Sequence, residues 1–212
     1  MKELLEFENN LYQKKITLIA GVDEVGRGPL VGPVVAAAVI LPVNYQLAGL
    51  TDSKKLSEKK RKLFYAQIIE EAIAVGIAEV SPSEIDDINI LEASKLAMIK
   101  AVNNLKIKPE YLLIDGNQKI NIDINQEAII KGDARSISIA AASVIAKVTR
   151  DALMDELDSL FPEYEFKGHK GYPTKKHLAK LKEYGLLDNY RFSYKPVAEI
   201  LSNQQKIRKV KS

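Results

Sequence analysis

The stretch TLIAGVDEVGRGPLVGPVVAAAVIL, residues 17–41, holds two apolar runs separated by a turn rich in Gly and Pro. TLIAGVDEV (17–25) and VVAAAVIL (34–41) have the length and β-branched content of buried strands, and the turn between them makes them a hairpin. The first run carries Asp23-Glu24 inside otherwise apolar sequence. Burying a charge costs several kcal/mol unless it is paired or bound to a cation, so these two carboxylates need a reason. Downstream, Ser57 or Glu58 opens a helix to about Ala74 with Leu63, Phe64, Ile68 and Ile69 on one side. Val75–Val80 reads as a strand, and Ser81-Pro82-Ser83-Glu84 is a helix-start pattern for a helix through most of Ile85–Leu105. Tyr111–Ile114 and Glu127–Lys131 are two further short strands, followed by a long helix, Ser138–Leu160, Ala-rich in its first turns. Helices near Lys175–Tyr184 and Pro196–Leu201 follow a loop, FKGHKGYPTKKH. A hairpin followed by helix–strand units gives the α/β class, a mixed sheet with helices on it. The expected organisation is a catalytic domain over residues 1–164, a helical C-terminal addition over 165–205, and a basic, flexible tail over 206–212.

Composition narrows the function classes. The chain has 212 residues, 46% hydrophobic and 28% charged, which suits a globular protein with a sizeable core. It has no cysteine, which excludes disulfides, Cys-based zinc sites, iron–sulfur clusters and thiol nucleophiles and is compatible with the cytoplasm. The longest apolar run, Leu30–Leu41, is broken by Gly32-Pro33 and falls short of the ~20 residues a spanning helix needs. The N-terminus, MKELLEFENNLYQKK, lacks the basic-then-apolar order of a secretory signal. The net charge of +3 is uneven: residues 165–212 hold 12 Lys/Arg against 4 Asp/Glu, whereas residues 1–164 hold 19 against 24. A basic quarter attached to an acidic body fits a polyanion held against a carboxylate-rich site, although solubility alone also accounts for surface lysines.

Two constellations carry chemistry. Gly26-Arg27-Gly28-Pro29-Leu30-Val31-Gly32 follows a strand, but its G-x-G-x-x-x-G spacing, Pro29 and the strand after it exclude a dinucleotide fingerprint, and no P-loop is present. These glycines either bring backbone N–H groups close to a ligand or simply make the turn. The second constellation is Asp23, Glu24, Asp115 directly after YLLI, and Asp133 directly after AIIKG. Each alone reads as a strand end or an Asp-Gly turn. Open α/β sheets gather their strand ends in one place, where four carboxylates repel one another unless hard divalent cations, Mg²⁺ or Mn²⁺, lie between them. Two such ions ~3.5–4 Å apart are the usual device for in-line cleavage of a phosphodiester.

In order along the chain, GVDEVGRGPLVGPVVAAAVIL, TDSKKLS, YLLIDG, KGDARSISIAAASVIAKVTRD and HKGYPTKKH strongly resemble the type 2 ribonucleases H of bacteria, over roughly residues 17–195. The resemblance implies an RNase H-like fold and endonucleolytic cleavage of RNA in RNA–DNA hybrids and at single ribonucleotides embedded in duplex DNA, leaving a 3′-hydroxyl and a 5′-phosphate. Carried over by position, it implies a catalytic and metal-binding quartet of Asp23, Glu24, Asp115 and Asp133. Gly26, Arg27, Gly28 and Tyr172 match the elements that read the ribonucleotide. The related type 3 enzymes carry an extra N-terminal domain, and only about 16 residues precede the first strand here, which favours type 2. A monomer is expected.

Other residues are less specific. Ser143, Lys147 and Arg150 fall on one helical face and are candidates to hold phosphates, the competing reading being a solvated helix edge. Lys54 and Lys55 in TDSKKLS are similar candidates. His169 and His177, flanked by lysines, are read as surface or backbone-contact residues, because two histidines without a third ligand make a poor zinc site. A noncatalytic nucleic-acid-binding module is the alternative of another class; four anions facing a phosphate backbone weigh against it. A DNA nuclease on the same fold is the other, and Gly26-Arg27-Gly28 with Tyr172 weighs against that.

Overall fold

The computed structural model describes residues 4–50, 53 and 56–210, with side chains through Ser202. Its central feature is a five-stranded sheet in the order β3-β2-β1-β4-β5, built from β1 (Ile19–Val25), β2 (Val34–Ile40), β3 (Ala74–Val80), β4 (Tyr111–Asp115) and β5 (Asn125–Ile129). β1 pairs antiparallel with β2, from Ala20↔Ile40 to Val25↔Val35, and parallel with β4, from Ile19↔Tyr111 to Val22↔Ile114. β4 in turn pairs parallel with β5. The hairpin and the mixed α/β sheet are therefore as the sequence implied. β2 is buried at every position, which is why it reads as an unbroken apolar run and not as an alternating one.

The chain divides into two compact units. The first comprises the described residues of 4–25, 35–79 and 94–149. Within it, α2 (Glu58–Glu71) and the first turns of α4 (Ile137–Leu160) share a core with β2, in which Phe64 and Ile68 meet Ala37, Val39, Ala140, Ala141, Val144 and Ile145. The side chain of Ser57 caps α2, accepting from the Lys60 N–H at 3.4 Å. Leu63 and Ile69, expected on the buried side of α2, are 64% and 45% exposed. The i, i+4 pair Phe64/Ile68 forms the buried stripe, with Tyr65 packed half-buried beside it, and at 100° per residue Leu63 and Ile69 swing outward. β1 and α4 approach so closely that a Cβ on Gly21 would lie 2.0 Å from the carbonyl carbon of Ser138. Any side chain at position 21 would drive the helix off the strand that carries Asp23.

The sequence reading missed α1 (Glu6–Tyr12), whose mixed-charge sequence gives no amphipathic signal. Its Glu8 is fully buried and accepts from the Ser136 hydroxyl at 2.6 Å and the Ser138 N–H at 3.1 Å. A carboxylate there meets the positive end of α4 and satisfies donors that a helix start leaves unpaired.

The second unit comprises residues 26–34, 80–93 and 150–212. Leu30, Val31, Met154, Leu157, Tyr164, Phe166, Leu181, Tyr190 and Val197 form its core. α3 (Pro82–Asn103) starts with a capping box, Ser81 Oγ accepting from the Glu84 N–H at 3.2 Å and Glu84 accepting from the Ser81 N–H at 3.0 Å. The helix breaks at Asn89, which has φ +67° and whose Oδ1 accepts from the N–H groups of Leu91 and Glu92, restarting it. The rest is α5 (Phe166–His169), α6 (Lys175–Tyr184), capped by Thr174, and α7 (Lys195–Val210), longer than the stretch near Pro196–Leu201 expected for it. Among the described residues, no helix is long and apolar enough to cross a membrane.

Candidate active site

Asp23 lies near the end of β1 and Asp115 ends β4, each one residue beyond the last paired residues Val22↔Ile114. Strand register alone thus sets these two side by side. Glu24 follows Asp23, and its N–H donates to Asp23 Oδ1 at 2.7 Å. Asp133 sits on a 3-10 turn, Gly132–Ala134, just after β5. The N–H of Gly132 donates to Asp115 Oδ1 at 2.7 Å, which ties that turn to the end of β4. A Cβ on Gly132 would come within 2.5 Å of Ile139 Cδ1, so a larger residue there would push the Ile139 side chain aside.

Asp23 is 7% exposed. Burial first, then the neighbouring charges of Glu24 and Asp115, hold its carboxyl well above the usual carboxylate range; a hydrogen bond from Ser143 opposes this, and Asp133 adds to it. Its neighbour Glu24 and two acids distant in sequence, Asp115 and Asp133, therefore all act electrostatically on Asp23. Ser143 is itself buried and shares a hydrogen bond of 2.8 Å with the Ser53 hydroxyl. It lies against a carboxylate, where the sequence reading had it as a phosphate candidate. Lys147 is half-buried one turn further along α4. Lys54 and Lys55 lie outside the described residues.

All four carboxylates offer oxygen donors only, the set that suits a hard divalent cation. Among the described residues, no three acidic or histidine side chains stand close enough to chelate one ion. The fit rests on donor chemistry and mutual repulsion, not on a preset coordination shell.

In the second unit, residues 26–34 form a loop held by two buried arginines. Arg191 donates from Nη2 to the carbonyls of Gly26 at 2.7 Å and Gly32 at 2.8 Å, from Nε to Gly32 at 3.0 Å, and from Nη1 to Arg27 at 3.1 Å. Arg150 donates to the carbonyls of Pro33, Val31 and Lys170 at 3.0–3.1 Å. Arg150 is 1% exposed, so it is no phosphate ligand; its fork is spent on backbone oxygens. Burial lowers the guanidinium of Arg150 to about 10, with Arg191 acting in the same sense. Gly26, at φ +97°, is where a Cβ would strike Arg150 Nε at 2.3 Å.

With its carbonyls turned inward, the loop presents Arg27 and Gly28 to solvent. Tyr172 is 43% exposed, and its ring lies 3.2 Å from where a Cβ on Gly28 would be. Gly26, Arg27, Gly28 and Tyr172 thus belong to one unit, in which Arg27, Gly28 and Tyr172 are exposed and Gly26 is buried beneath them. His169 and His177 are buried, not on the surface, and the backbone-contact half of their expected role holds: His169 Nε2 meets the Tyr164 carbonyl at 2.9 Å and His177 Nδ1 the Tyr172 carbonyl at 2.8 Å. Sequence reasoning missed Arg191 altogether, since NYRFSY carries nothing that separates a buried Arg from an exposed one.

The comparisons agree with this geometry. The sequence matches the ribonuclease HII family over residues 20–197. It is 54% identical to a ribonuclease HII of Bacillus cytotoxicus over 95% of this chain and 78% of that protein. The fold is similar to that of ribonuclease H2 from Pyrococcus horikoshii, with a TM-score of 0.77 and 28% identity over 89% of this chain and 99% of that one. It also resembles Bst ribonuclease HIII solved in complex with Mn²⁺, at a TM-score of 0.66 and 18% identity over 92% of this chain and 72% of that one, a likeness of fold alone. With carboxylates at adjacent strand ends and a family match across most of its length, this chain belongs to the ribonuclease HII family of endoribonucleases.

Proposed function

We propose that this chain hydrolyses the RNA strand of RNA–DNA hybrids and cuts at single ribonucleotides embedded in duplex DNA, with Asp23, Glu24, Asp115 and Asp133 holding Mg²⁺ or Mn²⁺. The observation that carries the reading is Asp23: a buried carboxylate at a strand end, charged against by Glu24, Asp115 and Asp133. A fold does not keep such repulsion without use for it. Bound there, divalent cations supply the charge neutralisation and activated water of two-metal phosphodiester hydrolysis.

The chain's own residues do the rest. Ser143 orients the Asp23 carboxylate by its hydrogen bond, and Lys147, half-buried one turn further along α4, is the candidate to meet a backbone phosphate. The 2′-hydroxyl is the only group that marks one ribonucleotide in DNA, and it both donates and accepts. Gly28 and Arg27 are exposed where it can reach them, and a side chain at position 28 would crowd the Tyr172 ring, 3.2 Å from its Cβ. The Tyr172 ring, open to solvent, stacks on the neighbouring sugar. In the net reaction water oxygen bonds to phosphorus and the P–O3′ bond breaks, giving a 3′-hydroxyl and a 5′-phosphate.

The test is incubation of a DNA duplex carrying one ribonucleotide, an all-DNA duplex and an RNA–DNA hybrid with the purified protein in Mg²⁺, Mn²⁺ or EDTA. The expected result is cleavage of the first and third only, and only with the cation. Cleavage of the all-DNA duplex, or cleavage in EDTA, overturns the reading.

A further inference from the structure

Tyr172 stands in a short turn that begins after α5 and ends at the Thr174 cap of α6. What fixes that turn is a pair of buried histidines. The rings of His169 and His177 stack with centroids 4.1 Å apart and planes 14° from parallel, with Phe166 edge-on to both at 5.8 Å.

Each ring nitrogen has a partner, and the partners dictate where the protons are. The Tyr172 carbonyl can only accept, so His177 Nδ1 must carry its proton to make the 2.8 Å bond. His177 Nε2 is then bare and accepts from the Tyr190 hydroxyl at 2.8 Å. For His169 the order is reversed. Its Nδ1 accepts from the Gly171 N–H at 3.2 Å and must be bare, while Nε2–H donates to the Tyr164 carbonyl at 2.9 Å. The pair thus grips the backbone around Tyr172: the N–H of Gly171, in the peptide that precedes Gly171, by one ring and the carbonyl of Tyr172, in the peptide that follows it, by the other. The Tyr172 N–H completes the turn by donating to the His169 carbonyl at 2.9 Å.

The hydrogen bonds require a neutral His169, and burial beside it favours a neutral His177. A proton added to His169 Nδ1 would point at the Gly171 N–H, and two stacked imidazoliums would repel. The charged groups acting on His169 are Glu165, Asp158 and Lys176, and Glu165 is already paired with Lys176 and Lys180. Among the described residues, the titratable group acting on His177 through its charge is His169; Tyr190 faces it as a neutral phenol. Burial pushes both imidazoles below their ordinary range, His177 to about 4.

We propose that His177 is a positioning residue for substrate reading: its Nδ1–H, held in that tautomer by the accept-only Tyr172 carbonyl and seated against Tyr190 and the stacked His169, sets the turn that presents Tyr172. The inference rests on Tyr172 contacting substrate as argued above. His177→Asn places an amide N–H near the position of Nδ1, whereas His177→Gln places its amide near Nε2 and leaves the Tyr172 carbonyl without a donor. The expected result is a loss of about tenfold in cleavage of a single-ribonucleotide duplex for His177→Gln, the effect of one lost buried hydrogen bond. The loss on an RNA–DNA hybrid is expected to be smaller, and His177→Asn to recover most of it. In a double-mutant cycle, adding His177→Gln to Tyr172→Ala should cost nothing further. Ring ¹⁵N NMR of the wild type should show Nδ1–H for His177 and Nε2–H for His169.

Additive losses in the cycle, equal losses on both substrates, or the opposite tautomers would overturn the proposal. So would a Tyr172→Ala defect with His177→Gln fully active. If Tyr172→Ala is itself without effect, the failure lies in the reading of Tyr172 and the positioning role falls with it.

Discussion

The two units treat buried charge in opposite ways. In the first, Asp23 is buried beside three other acids, and its environment resists ionisation. In the second, Arg150 and Arg191 are as deeply buried, but their donors end on backbone carbonyls of the 26–34 loop and of Lys170. One arrangement is costly to the fold by itself and is suited to a cation; the other is satisfied within the protein and stiffens a loop. A carboxylate cluster should therefore tolerate neutralisation and lose function. An arginine brace should not tolerate removal.

The largest effect is expected at the cluster. Asp23→Asn or Asp115→Asn should lower cleavage by orders of magnitude, because an amide ligates Mg²⁺ poorly and cannot offset its charge. Steady-state cleavage of a single-ribonucleotide duplex measures this, and near-wild-type turnover would remove the residue from the metal site. Next comes the brace. Arg191→Met strips charged donors from several buried carbonyls at once and should cost about 3–5 kcal/mol, lowering Tm by roughly 10 °C in a thermal melt. An unchanged Tm would mean that the loop is held by something else.

Tyr172 is the smaller lever. Tyr172→Ala should lower cleavage of a single-ribonucleotide duplex about a hundredfold, the scale expected when a phosphate is misplaced by ~1 Å. Tyr172→Phe, which keeps the ring, should lose only several-fold. An equal drop on a long hybrid, where many 2′-hydroxyls offer other registers, would demote the ring to packing.

Acid gives the smallest effect. The folded-state pKa of His177 is depressed to about 4 from the ordinary 6.5, so the unfolded chain takes up a proton first as pH falls. The stability this neutral ring contributes is complete above about pH 6.5 and is lost progressively toward pH 4, of the order of 1–3 kcal/mol. Urea melts at pH 7 and pH 5 should show this loss, and His177→Asn should abolish its share.

How much of this was legible in the sequence follows from the same contrast. Asp23 stood out because a charge in an apolar run is rare, and Asp115 and Asp133 because each ends an apolar run. Strand order and register, which the pattern implies only loosely, then bring their charges to bear on one another. Arg150 and Arg191 were illegible because their partners are backbone carbonyls supplied by tertiary structure, such as Gly26 and Arg27 some 165 positions from Arg191. VTRDALMDEL gives Arg150 the look of a solvated helix edge. α1 escaped for a related reason: of its two buried members, Leu11 and Glu8, the second is a carboxylate whose partners Ser136 and Ser138 lie 128 and 130 residues away. Apolar periodicity finds faces but not their exact width, as Leu63 and Ile69 show on α2.

The central claim is that the four carboxylates repel one another until cations join them. It is tested most directly by thermal melts of wild type and Asp23→Asn, with and without Mn²⁺. Without the cation, Asp23→Asn should melt at or above the wild-type temperature, because it removes like-charge repulsion. With Mn²⁺ the wild type should rise, by linkage to a ligand that binds only the folded state, and the variant should barely move. A wild type indifferent to Mn²⁺, or a variant that melts lower without it and responds equally with it, would contradict the account.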